Sequence, residues 1–315
     1  MMAHEFGLMR KLLKEHSGLN LGDDKQDMLE GKLRPLLREF ELPSLSHLVL
    51  MMMRPEAHHL RSRVAQAVTV QESYFFRDKV PFNYFVDTML PTLMARREAS
   101  RRIRIWCAAA ATGQEPYSLA MELAERNGKL AGWTIEIIAT DFVEDTLGKA
   151  RKGLYSQFEV QRGLPVSLLV KYFRKVGNAW ELSPKIRGKV EFQNKNLLDD
   201  CQALGTFDVI FCRNVLIYFD EATKRLVLGR VAARLAPDGY LVLGAAETTT
   251  GISGDFAMVP EGHHGIFSFT PEAAAAVEAR EEAKRRRAGE GASPCEAAQA
   301  PKSVPPAPRR IAFPR

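Results

Sequence analysis

Two acids and an arginine stand where this chain could hold a ligand. Glu115 opens a helix at Glu115-Pro116-Tyr117-Ser118, directly after Ala108 to Gly113, a run that is small throughout except for Thr112. Proline suits the first helical turn, and an acid there complements the helix dipole. Small residues allow a ligand to approach the backbone closely. Asp141 ends a second apolar run, Trp133 to Asp141. A carboxylate at that place accepts from both hydroxyls of a nucleoside ribose. Arg77 closes Ser73-Tyr74-Phe75-Phe76-Arg77, where three adjacent aromatics cannot all face one core, so some line a pocket or a domain seam. Blander readings stand beside these. The small-residue stretch is equally a tight turn with no ligand, Asp141 a helix N-cap, and Arg77 the partner of a nearby acid. The glycine spacing does not match G-x-G-x-x-G, so that dinucleotide signature is absent.

The elements that would position these residues alternate. A strand at 102–107 leads through the small-residue turn to a helix over 115–126. A strand at 133–142 and a helix at 144–151 follow. Strand, small turn and helix N-terminus form the ligand-holding corner of a doubly wound α/β sheet. The rhythm stalls over 153–188, where turn signals every few residues point to an inserted, partly β subdomain. It resumes with Val190 to Leu198 and with Phe207 to Phe219, strand then loop. A helix over 221–236, a turn at Pro237-Asp238-Gly239, a strand from Tyr240 and a closing strand at Gly265 to Phe269 complete the sheet. Together these place the α/β domain at 91–271.

Residues 1–90 read as a helical N-terminal domain. Phe6, Met9, Leu12 and Leu13 share one helical face, and Met28, Leu29, Leu33, Leu36, Leu37 and Phe40 recur at helical spacing around Pro35. Lys32, Arg34 and Arg38 form either a solvated face or a docking surface for an acidic helix. Residues 272–315 are rich in alanine, proline and charge, including Lys284 to Arg287, and read as a tail with little fixed structure.

Composition narrows the classes. With 315 residues, two domains are expected. No apolar run is long enough to cross a membrane, and the first residues show no signal pattern. Cys107, Cys201, Cys212 and Cys295 show neither a C-x-x-C pair nor regular spacing, which suggests no disulfide framework and no metal site, and from that cysteine usage a cytoplasmic protein is expected. The net charge of +6 is dispersed: +1 over 1–100, +2 over 101–271 and +3 over 272–315. A nucleic-acid-binding body would concentrate it on one face.

Taken in order, Ser73 to Arg77, Trp106 to Ser118, Ala139-Thr140-Asp141, Asn196-Leu197-Leu198 and Phe211 to Phe219 resemble the motifs of the chemotaxis receptor methyltransferases of the CheR type, over about residues 5 to 270. The resemblance implies a class I S-adenosylmethionine-dependent methyltransferase domain, an all-α domain before it and a small β subdomain inserted in it. It implies cofactor contacts at Gln71, Ser73, Arg77, Glu115, Asp141, Asn196, Leu197, Arg213 and Asn214. Gln71 stands where the family commonly has asparagine, Ser73 where it has threonine, Gln114 where it often has glutamate and Cys107 where serine is common.

The reaction so implied is methyl transfer to glutamate side chains on the cytoplasmic helical bundle of chemoreceptors, leaving S-adenosylhomocysteine and a methyl ester used in sensory adaptation. A glutamate is ionised at pH 7, so no general base is needed. In-line positioning in a dry site remains, with Phe75, Phe76, Tyr218 and Phe219 as candidates for excluding water. Arg77 and Tyr218 are the expected active-site residues, Arg77 orienting either the cofactor or the substrate carboxylate. The rival reading is a cofactor-binding signalling module that no longer transfers methyl groups. Arg174 to Trp180 is a short connection within the inserted subdomain, which favours a member that needs no receptor C-terminal pentapeptide as a tether.

Overall fold

The computed structural model describes residues 2–69, 72–260, 265–290 and 311–312. Four helices come first: α1 (Ala3–Ser17), α2 (Gln26–Glu39), α3 (Leu45–Met52) and α4 (His58–Val68). Phe6, Met9 and Leu13 lie on one face of α1 and bury against Leu29, Leu33 and Leu36 of α2 and Val64 and Val68 of α4. Pro35 sits inside α2 on its exposed side. Lys32 does not share the exposure of Arg34 and Arg38: its Nζ donates to the Val68 carbonyl at 3.4 Å, at the C-terminal end of α4.

A second helical run follows: α5 (Val80–Tyr84), a π-helical turn (Phe85–Met89) and α6 (Leu90–Arg96). Here the structure departs from a helical domain spanning 1–90. Phe82, Phe85, Met89 and Leu93 bury into the core of the sheet, while the core of the N-terminal helices ends at Val68. Helical periodicity identifies an apolar face but not which of two cores will receive it.

The α/β body runs β1 (Arg102–Ala108), α7 (Gln114–Glu125), β2 (Thr134–Asp141) and α8 (Glu144–Lys152). Next comes the insertion: β3 (Leu154–Ser156), α9 (Gln157–Gln161), α10 (Val166–Tyr172), β4 (Phe173–Val176), β5 (Ala179–Leu182) and α11 (Pro184–Arg187). Its strands make a separate antiparallel sheet in the order β3-β5-β4. The body resumes with β6 (Val190–Asn194), β7 (Phe207–Cys212), α12 (Glu221–Ala232), β8 (Leu235–Leu243), β9 (Phe256–Met258) and β10 (Ile266–Phe269). β6, β2, β1, β7 and β8 are parallel neighbours in that order, with β10 and β9 added antiparallel beyond β8. The order reverses between β1 and β7, and such a switch point opens a crevice beyond the strand C-termini. The expected turn at Pro237 to Gly239 lies inside β8, where its pairing with β7 is irregular.

The segment after Thr270 also differs from the expectation of a structureless tail. Residues Pro271–Glu290 form helix α13. The Thr270 hydroxyl accepts from the Ala273 amide at 3.3 Å, alanine favours helix, and Ala273, Ala274 and Val277 pack on the sheet. A short strand β11 (Ile311–Ala312) pairs antiparallel with Thr134 and Ile135, before the stretch of β2 that β6 covers. The chain between them lies outside the described residues.

Candidate functional site

The crevice at the switch point is lined by Ser73, Arg77, Glu115, Asp141, Asn196, Leu197, Arg213, Asn214 and Tyr218. Gln71 lies outside the described residues. The N-terminal helices close one side with Ser17, Leu19 and Thr69.

Backbone geometry shapes the floor. After β1 the chain turns with Ala109 at φ 58°, Ala111 at φ 47° and Gly113 at φ 90°. Left-handed conformations outside glycine cost about 1–3 kcal/mol each unless the surroundings impose them. Here they are imposed: the Ala110 amide donates to the Thr140 carbonyl at 2.8 Å, and the Ala111 amide to Asp141 Oδ2 at 3.0 Å. Asp141 Oδ1 accepts from the Val143 amide at 3.0 Å. The N-cap of α8 is Val143, so Asp141 does not serve as that cap. Burial pushes the Asp141 carboxyl above its usual range despite those donors. Asp141 lines the crevice, and a carboxylate has lone-pair sites beyond those two amide hydrogen bonds.

Arg213 follows β7 with its side chain only 1% exposed. Its Nη1 donates to Glu115 Oε2 at 2.9 Å, and its Nη2 to Asp78 Oδ2 at 2.7 Å and the Arg77 carbonyl at 2.9 Å. Burial raises the Glu115 carboxyl, and Arg213 opposes that rise. The Arg77 turn is unusual in its own right: Phe76, Asp78 and Lys79 have φ of 52°, 67° and 51°. The Phe76 amide anchors it to the Ser118 hydroxyl at 3.0 Å. Arg77 Nη1 donates to the Glu72 carbonyl. Among the described residues, the buried side-chain polar atoms without a hydrogen-bond partner are Nε of Arg77 and Nε of Arg213. Buried donors are normally paired, so these two mark a place shaped for a ligand.

Phe75 and Phe76 do not line the crevice. Phe75 packs edge-on against Tyr155 and Phe173, with centroids at 5.0 and 5.6 Å, and Phe76 against Phe82 at 5.4 Å. Core packing took them, and the apolar lining comes instead from Leu19, Leu197, Tyr218 and Phe219.

On the far wall Asn214 adopts φ 57°. Glu247, which the sequence did not single out, holds it there. Its carboxylate accepts from the amides of Asn214 at 2.7 Å, Gly244 at 2.7 Å and Ile217 at 3.2 Å, bracing the short 3-10 turn Leu216–Tyr218. The only signal in the sequence is an acid a few residues past β8. Tyr74 and Asp78 were likewise missed as individual contributors. Tyr218 also ties the domains together, its carbonyl accepting from the Asn20 amide at 2.8 Å, and burial raises its phenol. Asn196 does the same, donating to the His16 carbonyl at 2.6 Å.

A nucleoside with a charged amino-acid tail fits this set: an acid for the ribose, a small-residue floor, and two guanidiniums with buried free donors. Residues 4–69 match the family model described as CheR methyltransferase, all-alpha domain, and residues 71–264 match CheR methyltransferase, SAM binding domain. Chemotaxis protein methyltransferase 1 of Vibrio cholerae is 38% identical over 252 residues, covering 79% of this chain and 90% of that protein. Chemotaxis protein methyltransferase 1 of Pseudomonas aeruginosa is 38% identical, covering 81% and 94%, and the Vibrio parahaemolyticus chemotaxis protein methyltransferase 37%, covering 81% and 93%. None of these names supports a catalytically silent module. With an all-α domain ahead of a doubly wound sheet and a crevice at the switch point, the chain belongs to the CheR methyltransferase family and is an S-adenosylmethionine-dependent enzyme of the class I fold.

Proposed function

We propose that this enzyme acts in the cytoplasm on chemoreceptors, methylating glutamate side chains of their cytoplasmic helical bundle to give methyl esters. The observation that carries this reading is Arg77, which lines the crevice with a buried Nε that no described residue engages. A guanidinium of that kind suits a carboxylate, whether of cofactor or substrate. When bound, S-adenosylmethionine supplies an electrophilic sulfonium methyl. The chain's own residues then position and desolvate. Asp141 accepts from the ribose, and Ser73, Glu115, Asn196, Leu197, Arg213 and Asn214 complete the cofactor wall, with Gln71 assigned there on its place in the motif alone. Tyr218 and Arg77 flank the incoming carboxylate. The glutamate arrives ionised, so no residue need remove a proton. Orientation in a water-poor crevice can contribute about 7–11 kcal/mol in well-aligned cases.

The inserted subdomain is proposed to work without a receptor pentapeptide tether. Its β4–β5 connection is the two-residue turn Gly177-Asn178, with Gly177 at φ 58°, tighter than a loop that would extend the edge for a peptide. Saturable micromolar binding of the isolated pentapeptide would overturn that part. For the substrate, receptor-rich membranes are incubated with tritiated S-adenosylmethionine, and methanol release in base is measured. Base-labile label on receptors is expected. Label that resists base, or that appears only on other proteins, would remove the assignment.

A further inference from the structure

The inserted subdomain places a second arginine beside the crevice, outside the cofactor wall. Arg162 follows α9 and its guanidinium stacks over the Tyr74 ring, 4.3 Å from the centroid. Arg77 stacks on the same ring at 5.4 Å. Tyr74 therefore lies against two arginines, one from the crevice and one from the insertion. Glu72 serves both: its carboxylate pairs with Arg162 and its carbonyl accepts from Arg77. Arg162 is held to this segment by its neighbour. Gly163 has φ +82°, and a Cβ there would stand 2.0 Å from the Phe75 carbonyl oxygen, so the insertion presses directly on the backbone between Tyr74 and Arg77.

The Glu72–Arg162 pair is exposed, with side-chain exposures of 46% and 38%. An exposed pair of this kind contributes little to folding and exchanges readily with another carboxylate. Glu72 and Tyr74 line the crevice, and Arg162, outside that lining, contacts both of them. The geometry points to a substrate-reading role. We propose that Arg162 is a specificity residue that binds an acidic side chain neighbouring the target glutamate on the receptor helix, and that Glu72 occupies it until that acid arrives. This rests on the receptor reading above and adds to it. Two arginines stacked on one tyrosine ring would engage two carboxylates of one helical surface, Arg77 the target and Arg162 its neighbour. Planarity matters, because a guanidinium stacks on the ring and still offers its edge to a carboxylate, whereas an ammonium is a point charge.

The test is receptor KM, measured with tritiated cofactor on receptor-rich membranes, with S-adenosylhomocysteine affinity of each variant followed by calorimetry as the check on an intact pocket. R162A should raise receptor KM about 3-fold, the scale of one exposed charge pair, and R162K should recover only part of it. E72Q should do the opposite, lowering receptor KM about 2-fold, because the internal competitor is gone. If the pair merely clamps the insertion in place, E72Q and R162A raise KM alike, and the proposal is overturned. Unchanged KM in both variants overturns it as well. Wild-type enzyme that labels no receptor at all removes the substrate reading, and this inference with it, so the two failures are told apart.

Discussion

The parallel sheet has two edges, and its central strands carry charge at both. At the edge where the strands begin stand Arg102 and Arg104 on β1, Glu136 on β2 and Asp208 on β7. At the edge where they end stand Asp141 at the end of β2 and Arg213 after β7, with Glu115 nearby on α7. The first edge is closed upon itself. Arg102 and Arg104 both donate to Glu136 at 2.9 Å, Arg97 donates to Asp208 at 2.9 Å, and Asp208 also accepts the Arg104 amide at 2.7 Å. The second edge is left open, with Nε of Arg77 and of Arg213 unpaired. The carboxyls reflect the difference. Burial pushes Glu136 up, but its two arginines overcome that and leave it below the usual range. Glu115 and Asp141 remain raised by burial. Asp208 is the exception at the closed edge, where burial outweighs its donors. Saturated charge at one edge holds strands in register, and unsaturated charge at the other leaves valences for a ligand.

Breaking each edge in turn should separate the roles. R213A strands Glu115 and Asp78, and losing one member of a buried network costs about 3–5 kcal/mol. Denaturant unfolding should register that loss together with abolished transfer. A variant as stable as the wild type would contradict a structural share for this network. E136Q at the closed edge should cost about 1 kcal/mol or somewhat more, since Arg102 is 45% exposed and solvent screens part of the pair. It should leave S-adenosylhomocysteine affinity unchanged. Glu136 is moved in the opposite direction from Glu115 and Asp141, and its pH dependence follows from that. Glu136 is lowered in the folded state, so its contribution is present above the unfolded carboxylate pKa of about 4.3 and is lost as pH falls through the folded value. E136Q should flatten that acid limb.

At the open edge, D141A should weaken binding of S-adenosylhomocysteine by about 1.5–3 kcal/mol, the range for a hydrogen bond to a charged group. Asp141 accepts fully only when ionised, and its pKa is raised. Wild-type affinity should therefore decline on acidification at a higher pH than an ordinary aspartate would give, and D141N should remove that dependence. Calorimetry across pH decides it. Affinity independent of both pH and residue 141 would take Asp141 out of the site.

The smallest effect is expected far from both edges. Arg34 and Arg38 on α2 are exposed and one helical turn apart. Their joint change to alanine should raise receptor KM by about 2–5-fold at low salt and less at high salt, as screened surface charges do. Indifference to both charge and salt would place receptor docking elsewhere.

The strand–turn–helix corner, the acid ending the second strand, the interruption at 153–188 and the family were legible along the chain. These rest on local patterns: short apolar runs, small residues at a turn, and motifs in fixed order. Tertiary structure decided what depends on partners distant in the chain. Phe75 and Phe76 went to the sheet core because Tyr155, Phe173 and Phe82 waited there, and no local pattern names them. The helices at 80–96 joined the sheet rather than the N-terminal bundle for the same reason. Glu247 became a brace for Asn214 because β8 returns its end beside that of β7, and parallel neighbours are set by topology, not by spacing along the chain. The unpaired donors of Arg77 and Arg213 are the furthest from anything local, since a missing partner is defined only once every other group has found its own.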